Sequence, residues 1–316
     1  MKSVFLMLLM VLANLAFCQN GKLILAKEVT QPDSIKGARI QRIPYYQKVF
    51  DSTKLTDITY LSEGLKIKGF IAEPKAPGKY PCVIFCRGGN RDFGKIDWMT
   101  TTFFNEIASH GYVVIASQYR GTTGSEGLDE FGGADTMDVI NCIPTLANWL
   151  SADTSRIGMY GISRGGMMVY QSLRSLKNIK AAIINSGSTN KHDNFSRKDG
   201  AAWDSGIYGK MIPDYFKNKD AELKLRSAVY WPEKICKTTP LLIMHGSGDW
   251  RTPLASTLTL VQKLTELKHP LRFVLYEGAV HGLRGVGISR ENMWWEWLDK
   301  YVKNKSALPD MELHGE

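Results

Sequence analysis

The sequence predicts an α/β fold, a doubly wound and mostly parallel sheet with an antiparallel start. Three observations carry this. Short continuous apolar runs, such as residues 81–86 (PCVIFC) and 112–117 (YVVIAS), suit strands covered on both faces. Segments of helical spacing alternate with those runs through residue 302. Before them, residues 57–61 and 65–73 flank Glu63-Gly64 as a hairpin flanks its turn. A chain of 316 residues, 44% hydrophobic and 22% charged, fits one large α/β domain or two small ones and excludes a disordered, collagen-like or coiled-coil chain.

Residues 19–56 are mixed and polar, with Pro32 and Pro44, and read as an ill-defined lead-in to a catalytic domain spanning 57–305, with 306–316 as a tail. After the hairpin and the strand at 81–86, residues 103–110 fit a helix stopped by Gly111, and 112–117 the next strand. Val139, Ile140, Ile143, Leu146, Ala147 and Leu150 recur at helical spacing and predict one helix over 136–150. A strand at 156–160, a helix at 165–176 and a strand at 180–185 follow. Residues 188–238 break the rhythm, rich in Lys, Asp, Gly and aromatics, and read as a cap insertion over the carboxyl edge of the sheet, where open α/β sheets bind ligands. The alternation resumes with a strand at 240–244, a helix at 254–267, a strand at 271–276 and a closing helix at 291–302.

The amino terminus predicts export. Met1-Lys2-Ser3 is a positive start, residues 4–17 are apolar apart from Asn14, and Ala16 and Cys18 are the small residues of a cleavage site before Gln19. Fourteen residues at about 1.5 Å each do not cross a ~30 Å hydrocarbon core, so no stable membrane span is expected. Leu15-Ala16-Phe17-Cys18 also resembles a lipoprotein cleavage site that would acylate Cys18, but Phe17 is too large for it, so lipid anchoring ranks second. Forty Lys and Arg against 31 Asp and Glu give +9 without a run of five basic residues, which argues against a nucleic-acid-binding arm. Cys82, Cys86, Cys142 and Cys236 form no CxxC and read as buried thiols; the six His show no HxH or HExxH spacing, so neither a metal nor a cofactor is expected.

The chemistry-bearing motif is Gly161-Ile162-Ser163-Arg164-Gly165-Gly166. It follows a predicted strand and opens a predicted helix, as a nucleophile elbow must, and so points to the α/β-hydrolase fold. A serine hydroxyl needs a base, and the base an orienting carboxylate, in the chain order Ser, acid, His. Asp249, in the loop after the strand at 240–244, and His281, in the loop after the last strand, meet that order. His245 precedes Asp249 and reads as structural, His110 ends a helix, Glu277 would have to fold back onto its own segment, and His192 in the cap is the substitute base. An oxyanion hole needs backbone donors: the Arg164 amide is one, and Gly88 in Arg87-Gly88-Gly89 supplies the other.

Together these segments resemble the catalytic domain of the prolyl oligopeptidase family of serine peptidases over about residues 57–305. Leu65-Lys66-Ile67-Lys68-Gly69-Phe70 resembles its opening hairpin and Tyr80-Pro81-Cys82-Val83-Ile84-Phe85 its first central strand. Tyr119-Arg120-Gly121-Thr122-Thr123-Gly124 and Phe131-Gly132-Gly133-Ala134-Asp135 resemble its loop and helix before the nucleophile, and Arg226-Ser227 followed by Ile235 and His245-Gly246 its approach to the acid. The resemblance implies Ser163 as nucleophile, Asp249 as acid and His281 as base. Arg87 stands where many members carry Tyr or His, and residues 19–56 are too short for the β-propeller of the larger members. The expectation is a serine-type peptidase acting on small peptides or acyl-peptides. A carboxylic ester hydrolase on the same triad is the alternative, and a non-catalytic binding protein the opposing class. In the cap, aromatics (Trp203, Tyr208, Tyr215, Phe216, Tyr230, Trp231) could build an apolar pocket, and Lys191, Arg197, Lys198, Lys210, Lys217 and Lys219 could hold a substrate carboxylate.

Overall fold

The computed structural model describes residues 19–315 apart from Thr123 and Lys198. The predicted signal segment, residues 1–18, lies outside the described residues. Where the sequence is apolar on both faces, the chain builds the middle of a nine-stranded sheet in the order β1-β2-β3-β5-β4-β6-β7-β8-β9. Its antiparallel edge is β1 (Leu23–Val29), β2 (Thr53–Ser62) and β3 (Leu65–Pro74). The parallel part is β4 (Tyr80–Cys86), β5 (Val113–Ser117), β6 (Ala152–Ile162), β7 (Ile179–Asn185), β8 (Leu241–Gly246) and β9 (Leu271–Tyr276). This is the predicted fold class. The hairpin turn has Glu63 at φ 51° and Gly64 at φ 82°, positive at both central residues as a tight two-residue turn requires.

Alternate residues of each strand feed two cores. Ile84, Ile115, Met159, Ile184 and Ile243 face one side, with α4 (Thr136–Ile140), α5 (Cys142–Ala147), α6 (Arg164–Ser172), α8 (Leu254–Glu266) and the cap helix α7 (Tyr215–Leu225). Val83, Phe85, Val114, Tyr160, Ile183 and Leu242 face the other, under α3 (Trp98–Ser109) and α9 (Ile288–Leu298). The four cysteines are free and buried. No described helix is long and apolar enough to cross a membrane.

Three local expectations are corrected. Residues 19–56 are ordered structure: β1 pairs along β2 from Val29 with Leu55 to Leu23 with Tyr60, and α1 (Asp33–Arg42) and α2 (Tyr46–Ser52) follow it. The expected single helix over 136–150 is two short ones meeting at Asn141, because Pro144 has no N–H to donate into the helix. Helix α3 starts at Trp98, upstream of 103, where Asp97 caps it by accepting from Thr100 N at 2.7 Å.

Candidate active site

Strand β6 ends at Ile162, and Ser163 occupies the sharp turn into α6 at φ 58°, ψ −121°, a backbone conformation that non-glycine residues rarely adopt. The elbow is possible because α6 begins hard against β4: a Cβ on Gly165 would lie 1.9 Å from Cys86 O. Neighbouring backbone holds the serine in place, with Ser163 N donating to Asn185 O at 3.0 Å and Ser188 N to Ser163 O at 3.2 Å.

Beyond β8, the loop carrying Asp249 folds back so that its carboxylate is fully satisfied. Oδ1 accepts from Arg251 N (2.9 Å) and Thr252 N (3.0 Å); Oδ2 accepts from Thr252 Oγ1 (2.6 Å) and lies 2.8 Å from His281 Nδ1. Burial alone would raise this carboxyl, but the bonds from His281 and Thr252 outweigh it and hold it at about 2. An ionised Asp249 fixes the imidazole proton on Nδ1, leaving the Nε2 lone pair free to take a proton. Thr252 escaped the sequence reading, although it stands three residues after Asp249 in the segment that drew attention. His245 is fully buried beneath this loop, its Nε2 donating to Thr252 O at 2.8 Å. Burial lowers its pKa and keeps it neutral, so it props the acid loop.

Ser163, His281, Gly88 and Arg164 line one cavity of about 750 Å³, together with Trp203 and Trp250. Among the described residues no direct hydrogen bond joins the Ser163 and His281 side chains across it. Gly88 packs its backbone on the serine: a methyl there would sit 3.2 Å from Ser163 Cβ. The loop bearing Gly88 is braced from below. Arg87 turns inward and donates to Gln118 O (2.8 Å), Gly88 O (3.0 Å) and Arg91 O (2.9 Å). Arg164, singled out in the sequence for its amide alone, also uses its guanidinium. It donates to Gly89 O at 3.1 Å and pairs at 2.6 Å with both Asp129 and Asp135. Asp129 in turn accepts from Arg91 N at 2.8 Å. Burial disfavours ionisation of both Arg164 and Asp129, and their mutual attraction overrides it, raising the first and lowering the second.

The cap divides its residues. Tyr208, Tyr215 and Trp231 are buried in the core, Phe216 and Tyr230 are exposed, and Trp203 lines the cavity. Of the basic residues singled out there and described, Lys191 and Arg197 reach the cavity, Lys219 pairs with Asp204, and Lys210 and Lys217 face solvent. The structure does not bring the rival bases to the serine: His192 sits with Asp220 and Tyr230, and His110 stacks on Trp295. Glu277 is exposed in its turn. No group of three or more His, Cys, Asp or Glu is placed to hold a metal among the described residues.

Sheet order and strand-to-helix elbow are those of the α/β-hydrolase fold. Its overall trace superposes on Pyrococcus horikoshii acylaminoacyl peptidase with a TM-score of 0.70 at 23% identity, over 84% of this chain and 45% of that one. The model of the prolyl oligopeptidase family matches residues 97–305. The uncharacterized peptidase YtmA of Bacillus subtilis is 29% identical over 233 residues, which are 72% of this chain and 86% of YtmA. Dipeptidyl-peptidase 5 of Porphyromonas gingivalis is 26% identical over 71% of this chain but 34% of its own length. The chain thus spans most of YtmA, about a third of that dipeptidyl-peptidase and under half of the acylaminoacyl peptidase. It belongs to the prolyl oligopeptidase family, and with it to the serine-type peptidases.

Proposed function

We propose that the chain hydrolyses short peptides or acyl-peptides through an acyl-enzyme on Ser163. The observation that carries this is the Asp249–His281 bond at 2.8 Å, beside a serine held at a strained elbow on the wall of the same cavity. In the first half-reaction His281 Nε2 takes the Ser163 proton as Oγ bonds to the carbonyl carbon. The carbonyl electrons move onto oxygen, where the Arg164 amide and the Gly88 segment supply positive dipoles. The C–N bond then breaks, and His281 returns the proton to the departing amine. Water repeats the sequence: it loses a proton to His281, attacks the ester carbon, and Ser163 Oγ leaves with that proton. Asp249 stays ionised throughout and steadies the imidazolium.

Family membership and the peptidases among the relatives favour an amide substrate. Assaying the pure protein against aminoacyl-arylamides, acyl-peptides and short-chain aryl esters tests it. Amide turnover that disappears in Ser163→Ala supports the reading. Turnover of esters with every amide inert replaces it by an esterase, and no turnover of either leaves a binding protein.

A further inference from the structure

Lys191 begins the cap just beyond β7, with its N–H donated to Ser227 Oγ at 2.8 Å. Its side chain is 2% exposed and lines the same cavity as Ser163 and His281. The other cations packed around it are committed: Arg164 to Asp129 and Asp135, Arg197 to Asp199, Arg226 to Glu222. Asp193, whose charge reaches Lys191, is bound by Asn190 at 2.9 Å and by Ser256. Among the described residues Lys191 Nζ has no acceptor at hydrogen-bond distance; it lies over the Phe131 ring, 5.1 Å from the centroid. A cation on so buried a side chain, without a protein acceptor, is disfavoured, and the cavity it lines is where an acceptor can enter.

We propose that Lys191 receives a carboxylate of the substrate, so that the site selects acidic peptides. This deepens the acyl-enzyme reading and rests on it. Two sources offer the same acceptor: the side chain of an Asp or Glu next to the scissile bond, or the free carboxyl terminus of a short peptide. Burial, with the repulsion of Arg164 and Arg226, pushes Lys191 down to about 7. A bound carboxylate favours the ammonium, so the complex takes up a proton when Lys191 starts neutral. Recognition is therefore full below about pH 7 and weakens toward tenfold per pH unit above it.

The test compares kcat/KM ratios, in which every pH effect common to both substrates cancels. One arm pairs arylamides with Glu or Gln next to the scissile bond; the other pairs short quenched-fluorescence peptides with a free or an amidated carboxyl terminus. In one arm the wild-type ratio of acidic to neutral substrate is expected to be about tenfold or more at pH 6, the scale of a charge-assisted bond, and to fall toward pH 8.5. Lys191→Met should bring that ratio to about one, and Lys191→Arg should keep it without the pH dependence, since a guanidinium stays charged. Wild-type ratios near one in both arms, or a preference that survives in Lys191→Met, overturn the proposal. The pH dependence of the wild-type ratio decides the matter even where a variant does not fold. If the wild type cleaves no substrate, the hydrolase reading fails by itself, and calorimetry of N-acetyl-dipeptides ending in Glu or its diamide on Ser163→Ala applies the same ratio criterion to Lys191.

Discussion

Replacing Arg164 by Met tests the charge cluster beneath the serine. The guanidinium meets Asp129 Oδ1 and Asp135 Oδ2 at 2.6 Å each, with all three side chains at most 2% exposed. Met keeps most of the volume and the backbone amide, but strands two carboxylates out of water. Removing one partner of a buried ion pair costs about 3–5 kcal/mol, because the remaining charge is uncompensated. At roughly 2–4 °C per kcal/mol for a domain approaching this size, the melting temperature should fall by roughly 6–20 °C. The loss is also functional. Gly89 O loses its donor at 3.1 Å, and Asp129, which holds Arg91 N, loses its counter-charge, so the loop bearing Gly88 loosens. Misplacement of a reacting group by about 1 Å is worth on the order of 10²-fold in rate, so turnover should drop between about tenfold and a hundredfold. Guanidinium unfolding and steady-state kinetics measure both effects. Adding Asp129→Asn should restore part of the stability, since it deletes one stranded charge, and Arg164→Lys should fall between wild type and Met. Stability of Arg164→Met within about 0.5 kcal/mol of wild type, the usual scatter of surface substitutions, would refute the reasoning.

Asp249→Asn should leave the fold intact and lower kcat by about 10⁴-fold, as expected when the imidazole loses its orienting carboxylate. The same variant reads out acid stability. The Asp249 carboxyl is lower in the folded chain, about 2, than its ordinary 3.8. Its contribution, roughly 2 kcal/mol, is therefore present above pH 4 and lost as the pH falls toward 2. The stability gap between wild type and Asp249→Asn should close across that window; a gap constant from pH 6 to pH 2 contradicts it. Gly88→Ala places a methyl 3.2 Å from both Ser163 Cβ and Ile162 O, so kcat should fall about tenfold or more with little change in melting temperature. Unaltered kcat would show that the Gly88 segment is not pressed against the reacting serine.

How far the sequence could be read depended on where each signal lay. The strands at 81–86 and 112–117 declared themselves because both faces are buried, leaving no polar alternation to dilute the apolar run. The elbow was legible because turn, strand end and helix start are adjacent in the chain. Strand β1 was not: it is an exposed edge strand whose only cause is its pairing with β2, some thirty residues away. Helix α1 likewise buries no residue, so it carries no apolar stripe to recognise. Asp129 was silent, and Asp135 stood out only as the end of the segment 131–135, for a related reason. Their role comes from Arg164, 35 and 29 residues along the chain, and a lone loop carboxylate has no local signature of burial. In the cap, composition showed aromatics and lysines together but could not separate Tyr208, which packs the core, from Trp203, which lines the cavity.

The most direct test of the acyl-enzyme on Ser163 is covalent trapping. The pure protein is incubated with a fluorophosphonate, and its intact mass and labelled peptide are determined by mass spectrometry. A single adduct on the peptide containing Ser163, absent from Ser163→Ala and much slower to form in His281→Ala, is the predicted result. An adduct on another residue, or one that forms undiminished in Ser163→Ala, would contradict the account.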